Sequence, residues 1–446
     1  MSAPRLPFAA LILAMLPAVL DQTILATGLP TIARDLGSLR DVSWVVSAYV
    51  IAATAATPLW GKLGDRHGRK RLLQIALAWF VASSALCGLA NDITQLTLLR
   101  AVQGVAAGGL MTLAMAAVGD LVPPRERGRY QGYIAAAFSI ATVAGPIVGG
   151  LLVEHASWRW VFYVNQPLGI VALLALGATL PAAPAAPARA GAPLDTPGAV
   201  LLAGATTAFM LFCLNPGAPL AVLALALAVV FVTRERRAAD PIVPLDMLAA
   251  PAVAIASVAL FLATASLFAV TVFVPVFLQV ATAATPTEAG LLLVPMMLGT
   301  TAATILSGRE IARTGRYKRF PPIGLALMTA ALLGLAAAAG SGSRVLADVC
   351  LLVFGSGFGL VTQVLVVAVQ NGVERSRLGT ATAATGFFRA LGGAAGAAVL
   401  GAVFAAHDGD VAGGVRIVFL CAAPLAALAL LAVIRLPEHR LQTKIV

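Results

Sequence analysis

The sequence is poor in charge. Of its 446 residues only 11% are Asp, Glu, Lys or Arg, 60% are hydrophobic, and the mean hydropathy is +0.94. A chain of this composition cannot keep most of its length in water, which excludes a soluble globular protein. Cysteine is also scarce. Cys87, Cys213, Cys350 and Cys421 lie far apart inside apolar runs without paired ligand spacing, so they indicate neither a disulfide framework nor a zinc site. The four histidines, His67, His155, His407 and His439, fall in loops or tails, so no histidine proton relay is available. Aromatics make up 6% and are not interleaved with the basic residues, which argues against a nucleic-acid surface despite the net charge of +11. No GxxxxGK(S/T) phosphate loop is present and no nucleophile and base pair stands out. The chain is therefore read as a non-enzyme, not driven directly by ATP, with no cofactor or metal.

What the chain has is long apolar runs, and a membrane helix takes about 20 such residues. Six fill the first half, near residues 8–32, 43–61, 72–90, 96–119, 131–153 and 162–180; the first follows MSAPRLPF without a small-residue cleavage site and is read as a retained span. A Pro/Ala-rich linker, 181–197, is too rich in proline to stay helical. Two short runs, 198–214 and 220–233, flank NPGAP and are read as an extra helix pair, a shallow hairpin being the other option; a basic linker, 234–250, follows. Six more runs lie near 251–280, 289–307, 321–340, 345–370, 379–405 and 414–434. The expected fold is an all-α membrane protein of fourteen spans: an N-terminal six-helix bundle over 1–180, the central pair, and a C-terminal six-helix bundle over 251–446.

Loop charge supports this order. Of the 30 basic residues, 23 fall on one side, five on the other, and Arg100 and Arg389 lie within spans. The rule that cytoplasmic loops collect Lys and Arg then places both termini in the cytoplasm. It does not choose between twelve and fourteen spans, because removing the central pair keeps the orientation. The chain also repeats itself: GKLGDRHGRKR at 61–71 returns as GREIARTGRYKR at 308–319, with Gly61 and Gly68 matched by Gly308 and Gly315. Two six-span repeats suit alternating access around a central site.

GKLGDRHGRKR, read as a tight turn with Asp65 among five basic groups, resembles the signature loop of the major facilitator superfamily. LDQTILATGLPTI at 20–32, LLRAVQGVAAGG at 98–109, AGPIVGG at 144–150, WRWVFYVNQPLG at 158–169, FLQVATAATPTEAGLLLVP and GFFRALGGAAGAAVLGAV resemble its drug/proton antiporter family with fourteen spans. The resemblance implies export of lipophilic compounds in exchange for protons. An exporter of one metabolite or self-made antibiotic is the alternative. A receptor or scaffold on the same fold would need an aqueous signalling region, which is not in evidence.

Asp21 lies about 20 Å into its span at 1.5 Å per residue, and acids at that depth are functional by default. It is the expected proton carrier; a structural pairing with Arg100 or Arg389 is the plainer reading. Arg100 cannot shed its charge, so approaching or leaving Asp21 would tune that acid. Gln103, Gly104 and Gly108 share the helical face of Arg100. Arg389 either joins the coupling or only hydrogen-bonds backbone carbonyls. Gly61, Asp65, Gly68, Arg69 and Asp120 form an expected cytoplasmic gate, the plain alternative being surface ion pairing. Gly145 and Gly149 let a second helix approach, Pro146 loosens its own helix, and Gly150 completes the exporter motif. Trp44 and Trp60 read as interfacial belt residues. Glu288 and Asp348 are placed near extracellular span ends. The single mid-membrane acid predicts neutral or monocationic lipophilic cargo. The expected setting is a monomer in a bacterial inner membrane, suggested by 26 Arg against 4 Lys and abundant alanine, with lipid, protons and small lipophilic substrates as partners and no nucleic acid.

Overall fold

The computed structural model describes residues 5–36, 42–181, 194–282, 293–407 and 410–438. Glu288 and most of the Pro/Ala linker lie outside these residues. The chain is all-helical: α1 (Arg5–Leu36), α2 (Val42–His67), α3 (Arg69–Gly88), α4 (Ile93–Leu121), α5 (Arg127–His155), α6 (Trp160–Thr179), α7 (Thr196–Leu214), α8 (Ala218–Glu235), α9 (Pro251–Thr282), α10 (Val294–Thr314), α11 (Phe320–Ser341), α12 (Arg344–Asn371), α13 (Leu378–Ala405) and α14 (Val411–Ile434). All but α10 are, as described, long and apolar enough to cross a bilayer.

The N-terminal bundle packs α1 against α5, α2 against α4 and α3 against α6; in the C-terminal bundle α9 meets α13 and α14, and α12 lies against α10 and α11. Each half has its own interior, around Met15, Leu77, Phe80 and Leu110 in the first and Phe277, Met328, Phe354 and Phe419 in the second. Exposed Leu, Val and Ile on the outer faces suit hydrocarbon, where nothing drives their burial.

The central pair α7 and α8 is an antiparallel hairpin. Asp195 caps α7, accepting from Gly198 N at 3.2 Å, and pairs with Arg234 near the end of α8 at 3.0 Å. Helices of 19 and 18 residues reach roughly 28 Å, close to the hydrocarbon thickness. Through α7 the pair packs on α2 and α13. Its basic end is tied to the signature loop, because Asp240 pairs with both Lys62 and Arg66.

The repeat differs from the expected tight turn. α2 runs six residues beyond the anticipated end at 61, through the charged segment to His67, and α10 likewise continues to Thr314. Charge does not stop a helix that has left the membrane; a left-handed glycine does. Gly68 (φ 89°) and Gly315 (φ 70°) each make that break in corresponding places.

Candidate functional site

Three spans and the helix carrying Arg100 converge on Asp21. Asp21 on α1 is fully buried, and Arg100 on α4 lies 2.5 Å from its Oδ2. Gln103 Nε2 and Asn165 Nδ2 both donate to Oδ1 at 3.1 Å. Gln103 Oε1 in turn accepts from Arg100 at 2.6 Å, so the residues three apart on α4 grip each other and the acid together. Asn165, near the N-terminal end of α6, also donates to Ser84 Oγ at 3.0 Å, and Ser84 donates to Phe162 O at 2.9 Å. The guanidinium is completed by Val45 O, accepting from Nε at 3.3 Å, and by the face of Tyr49, 4.1 Å away.

This arrangement holds a carboxylate in the membrane interior by surrounding it with donors. Both Tyr49 Oη and Arg100 Nη2 are left enclosed without a hydrogen-bond partner, so the network has spare donors on its cationic side. Neither charge of the pair can be removed alone without stranding the other in a buried site. Asp21 and Arg100 thus come together as expected, and Gln103 joins them. Asn165, Ser84 and Tyr49 were not singled out in the sequence. The signal was a polar side chain deep in an otherwise apolar span.

The second constellation lies at the basic end, between the bundles. Asp65 Oδ1 accepts from Gly379 N at 2.8 Å, and its Oδ2 accepts from Thr380 N at 2.8 Å and Thr380 Oγ1 at 2.9 Å. These are first-turn amides of α13, so a carboxylate of one half caps a helix of the other at its positive end. Arg69 steers that carboxylate from 2.6 Å while also pairing with Asp120. Gly61 makes the approach possible: a Cβ there would sit 2.5 Å from Ala383 Cβ and 2.8 Å from Gly379 O. On the other flank Gly308 meets Gly128, whose carbonyl would be 2.1 Å from an added Cβ, and Arg125 Nε donates to Ala312 O at 2.7 Å. Arg127 crosses to Gln370 O at 3.2 Å. The expected gate residues are therefore joined, and the plain surface-pair reading does not describe them, because Asp65 bonds across the interface.

Elsewhere the outcomes are mixed. Gly145 and Gly149 face α1, where added Cβ atoms would meet Thr23 Oγ1 at 2.0 Å and Thr27 Oγ1 at 2.4 Å, in the turns just after Asp21. Pro146 is exposed in an unbroken helix, and Gly150 has nothing within 4 Å, so its lack of a side chain serves no described contact. Trp60 is not a belt residue: it is 6% exposed and its indole donates to Val105 O at 2.7 Å, because α4 glycines let it sink against the neighbouring helix. Trp44 is exposed as expected. Asp348 is half-buried, with Oδ1 enclosed and unpartnered.

Arg389 stands apart from Asp21. It lines a cavity of about 150 Å³ between the two halves, with Met15, Met111, Met115, Phe138 and Gln363 among its walls. Among the described residues it pairs with no carboxylate and donates to no backbone carbonyl. The carbonyl alternative therefore finds no support, and Asp21, buried in its own bundle, does not face this cavity.

Two six-helix bundles thus meet around a central cavity, with a buried acid and base paired inside one of them. The sequence profile described as Major Facilitator Superfamily matches residues 11–397, and the chain belongs to that superfamily. Over 407 residues it is 38% identical to an MFS-type transporter of Mycobacterium tuberculosis that is named as uncharacterized, covering 89% of this chain and 59% of that protein, so the chain spans about three-fifths of that relative's length. It is 32% identical to the multidrug transporter protein MdtP of Bacillus subtilis, across 90% of this chain and 75% of MdtP. Among solved structures, the proton:xylose symporter XylE bound to 6-bromo-6-deoxy-D-glucose superposes with a TM-score of 0.71 at 15% identity, covering 98% of this chain and 96% of that one. That likeness is one of fold.

Proposed function

We propose that this transporter exports lipophilic compounds from a bacterial cytoplasm in exchange for protons, with both termini and the basic end cytoplasmic. The single observation that carries the reading is the Asp21–Arg100 pair with its Gln103 and Asn165 donors, sealed inside one bundle. A buried acid held by a permanent cation has two states, ion-paired or protonated, and moving between them changes how α1 and α4 sit together. The glycine contacts at Thr23 and Thr27 give such a shift a path to α5, and α5 carries the contact to α10. In the arrangement described, the Asp65 and Arg125 contacts join the two halves at the basic end while the acid is ion-paired. Protonation from outside would release Arg100 and favour opening inward; loss of the proton inside would close the cycle. The names of relatives such as MdtP are consistent with efflux of drugs.

The expectation of neutral or monocationic cargo rested on Asp21 as the one mid-membrane acid, and Asp21 is paired with Arg100 and does not line the cavity. Export itself is tested in inverted vesicles with a panel of dyes and antibiotics. Accumulation driven by an imposed pH gradient and abolished by an uncoupler is the expected result; accumulation indifferent to the gradient would remove proton exchange from the account.

A further inference from the structure

A cation buried in a membrane protein without a counter-ion is costly, and where one persists it faces a partner, a pathway or a ligand. Arg389, on α13, is a half-buried cation of this kind, with no carboxylate partner among the described residues. The cavity it lines holds no acidic side chain: its polar members are Gln363, Thr112, Thr382 and Thr385. Thr382 and Thr385 spend their hydroxyl protons on Leu378 O and Thr382 O within α13, at 2.7 Å each. Gln363 Oε1 is enclosed and unpartnered, and turning the amide end for end would present its Nε2 donor instead. Opposite these groups stand Met15, Met111, Met115 and Phe138, a soft apolar wall that adapts to varied shapes. Arg100, the other intramembrane arginine, already faces a carboxylate, Asp21.

We propose that Arg389 is the recognition residue for cargo, and that the preferred cargo is a lipophilic monoanion, an aromatic or aliphatic carboxylate whose headgroup meets the guanidinium while its apolar body lies on the methionine and phenylalanine wall. A guanidinium matches a carboxylate with two parallel N–H bonds, which a point charge does not reproduce. The charge arithmetic then differs from that of cation exchange. One anion leaving and one proton entering are both favoured by an inside-negative potential, whereas one cation leaving for one proton is electrically neutral. This inference rests on the reading of the chain as an exporter, but its primary test is binding, which needs no proton gradient.

The test uses the purified full chain in detergent at pH 8, with para-butylbenzoate, para-butylbenzyl alcohol and para-butylbenzyltrimethylammonium as a matched anionic, neutral and cationic series. The wild type should bind the carboxylate about tenfold or more above the ammonium compound, and Arg389→Gln should lose about tenfold to a hundredfold of carboxylate affinity while gaining none of the structural damage visible in a thermal melt. Arg389→Lys should recover part of it. In inverted vesicles without a pH gradient, an imposed membrane potential should speed transport of the benzoate but not of the ammonium compound. Tighter binding of the ammonium compound by the wild type, or unchanged benzoate affinity in a folded Arg389→Gln protein, would overturn the proposal. Retained benzoate binding with transport indifferent to protons would count against the exchange mechanism alone.

Discussion

The two halves of the chain meet through the same geometry with opposite chemistry. In the first repeat Asp65, four residues after Gly61, takes amides at the N-terminus of α13. In the second repeat the residue in the same register is Ala312, four after Gly308, and there it is a backbone carbonyl near the C-terminus of α10 that takes a bond from Arg125. An anion on a positive helix end and a cation on a negative one are equivalent stabilisers. Only one of them can be switched off by a proton, however. The same contrast holds deeper in the membrane, where Arg100 has a carboxylate partner and Arg389, among the described residues, has none. A duplicated fold has thus kept its packing glycines and divided its charges, the first half holding the buried ion pair and the second an unanswered cation.

The largest effect expected from breaking this division is at Asp21. The sequence alone suggests that Asp21→Asn avoids a buried charge and folds normally. With Arg100 in contact, the same change strands a cation, at a cost of about 3–5 kcal/mol. A thermal melt should show Asp21→Asn strongly destabilised, and adding Arg100→Gln should restore most of the loss; equal melting of the single variant and wild type would contradict the pair's importance. Next come the glycines of close approach. Gly61→Leu and Gly308→Leu should each force the basic end apart at a cost of about 1–3 kcal/mol, read as greater labelling of nearby cysteines. Gly150→Ala, in open space, should leave labelling and transport alone.

Asp65→Asn should be milder, since the amide oxygen still accepts one amide bond. A weakening of about 1–2 kcal/mol in closure is expected, visible as a shifted distance distribution between spin labels across the basic end. The smallest effect belongs to Asp246, whose carboxyl is held below its ordinary range chiefly by a hydrogen bond from Arg377 at 2.6 Å. A depressed acid contributes stability above its unfolded pKa and loses it as pH falls through the folded one. Because the pair is exposed, Asp246→Ala should cost no more than about half a kcal/mol at neutral pH, and nothing in strong acid.

Much of this was legible in the sequence. Apolar runs placed the helices, because a span needs length, and the glycine spacing matched the two repeats, although the breaks fall at Gly68 and Gly315 and not at the ends of the apolar runs. Helical phase put Gln103 beside Arg100. The rest depended on which spans become neighbours. Asn165 and Ser84 look like isolated polar residues until α6 and α3 bring them to Asp21. Trp60 has the depth of a belt residue, and only the glycine face of α4 shows that it is buried. The solitude of Arg389 is a fact about its neighbours, which no run of sequence contains.

The central claim is that Asp21 carries the coupling proton. It is tested most directly by comparing two transport modes of one variant in proteoliposomes, uphill efflux driven by a pH gradient and exchange of labelled for unlabelled cargo, which needs no net proton movement. The Asp21→Asn, Arg100→Gln protein should lose gradient-driven efflux while retaining exchange. Uphill, gradient-driven efflux by that protein at the wild-type rate would contradict the claim.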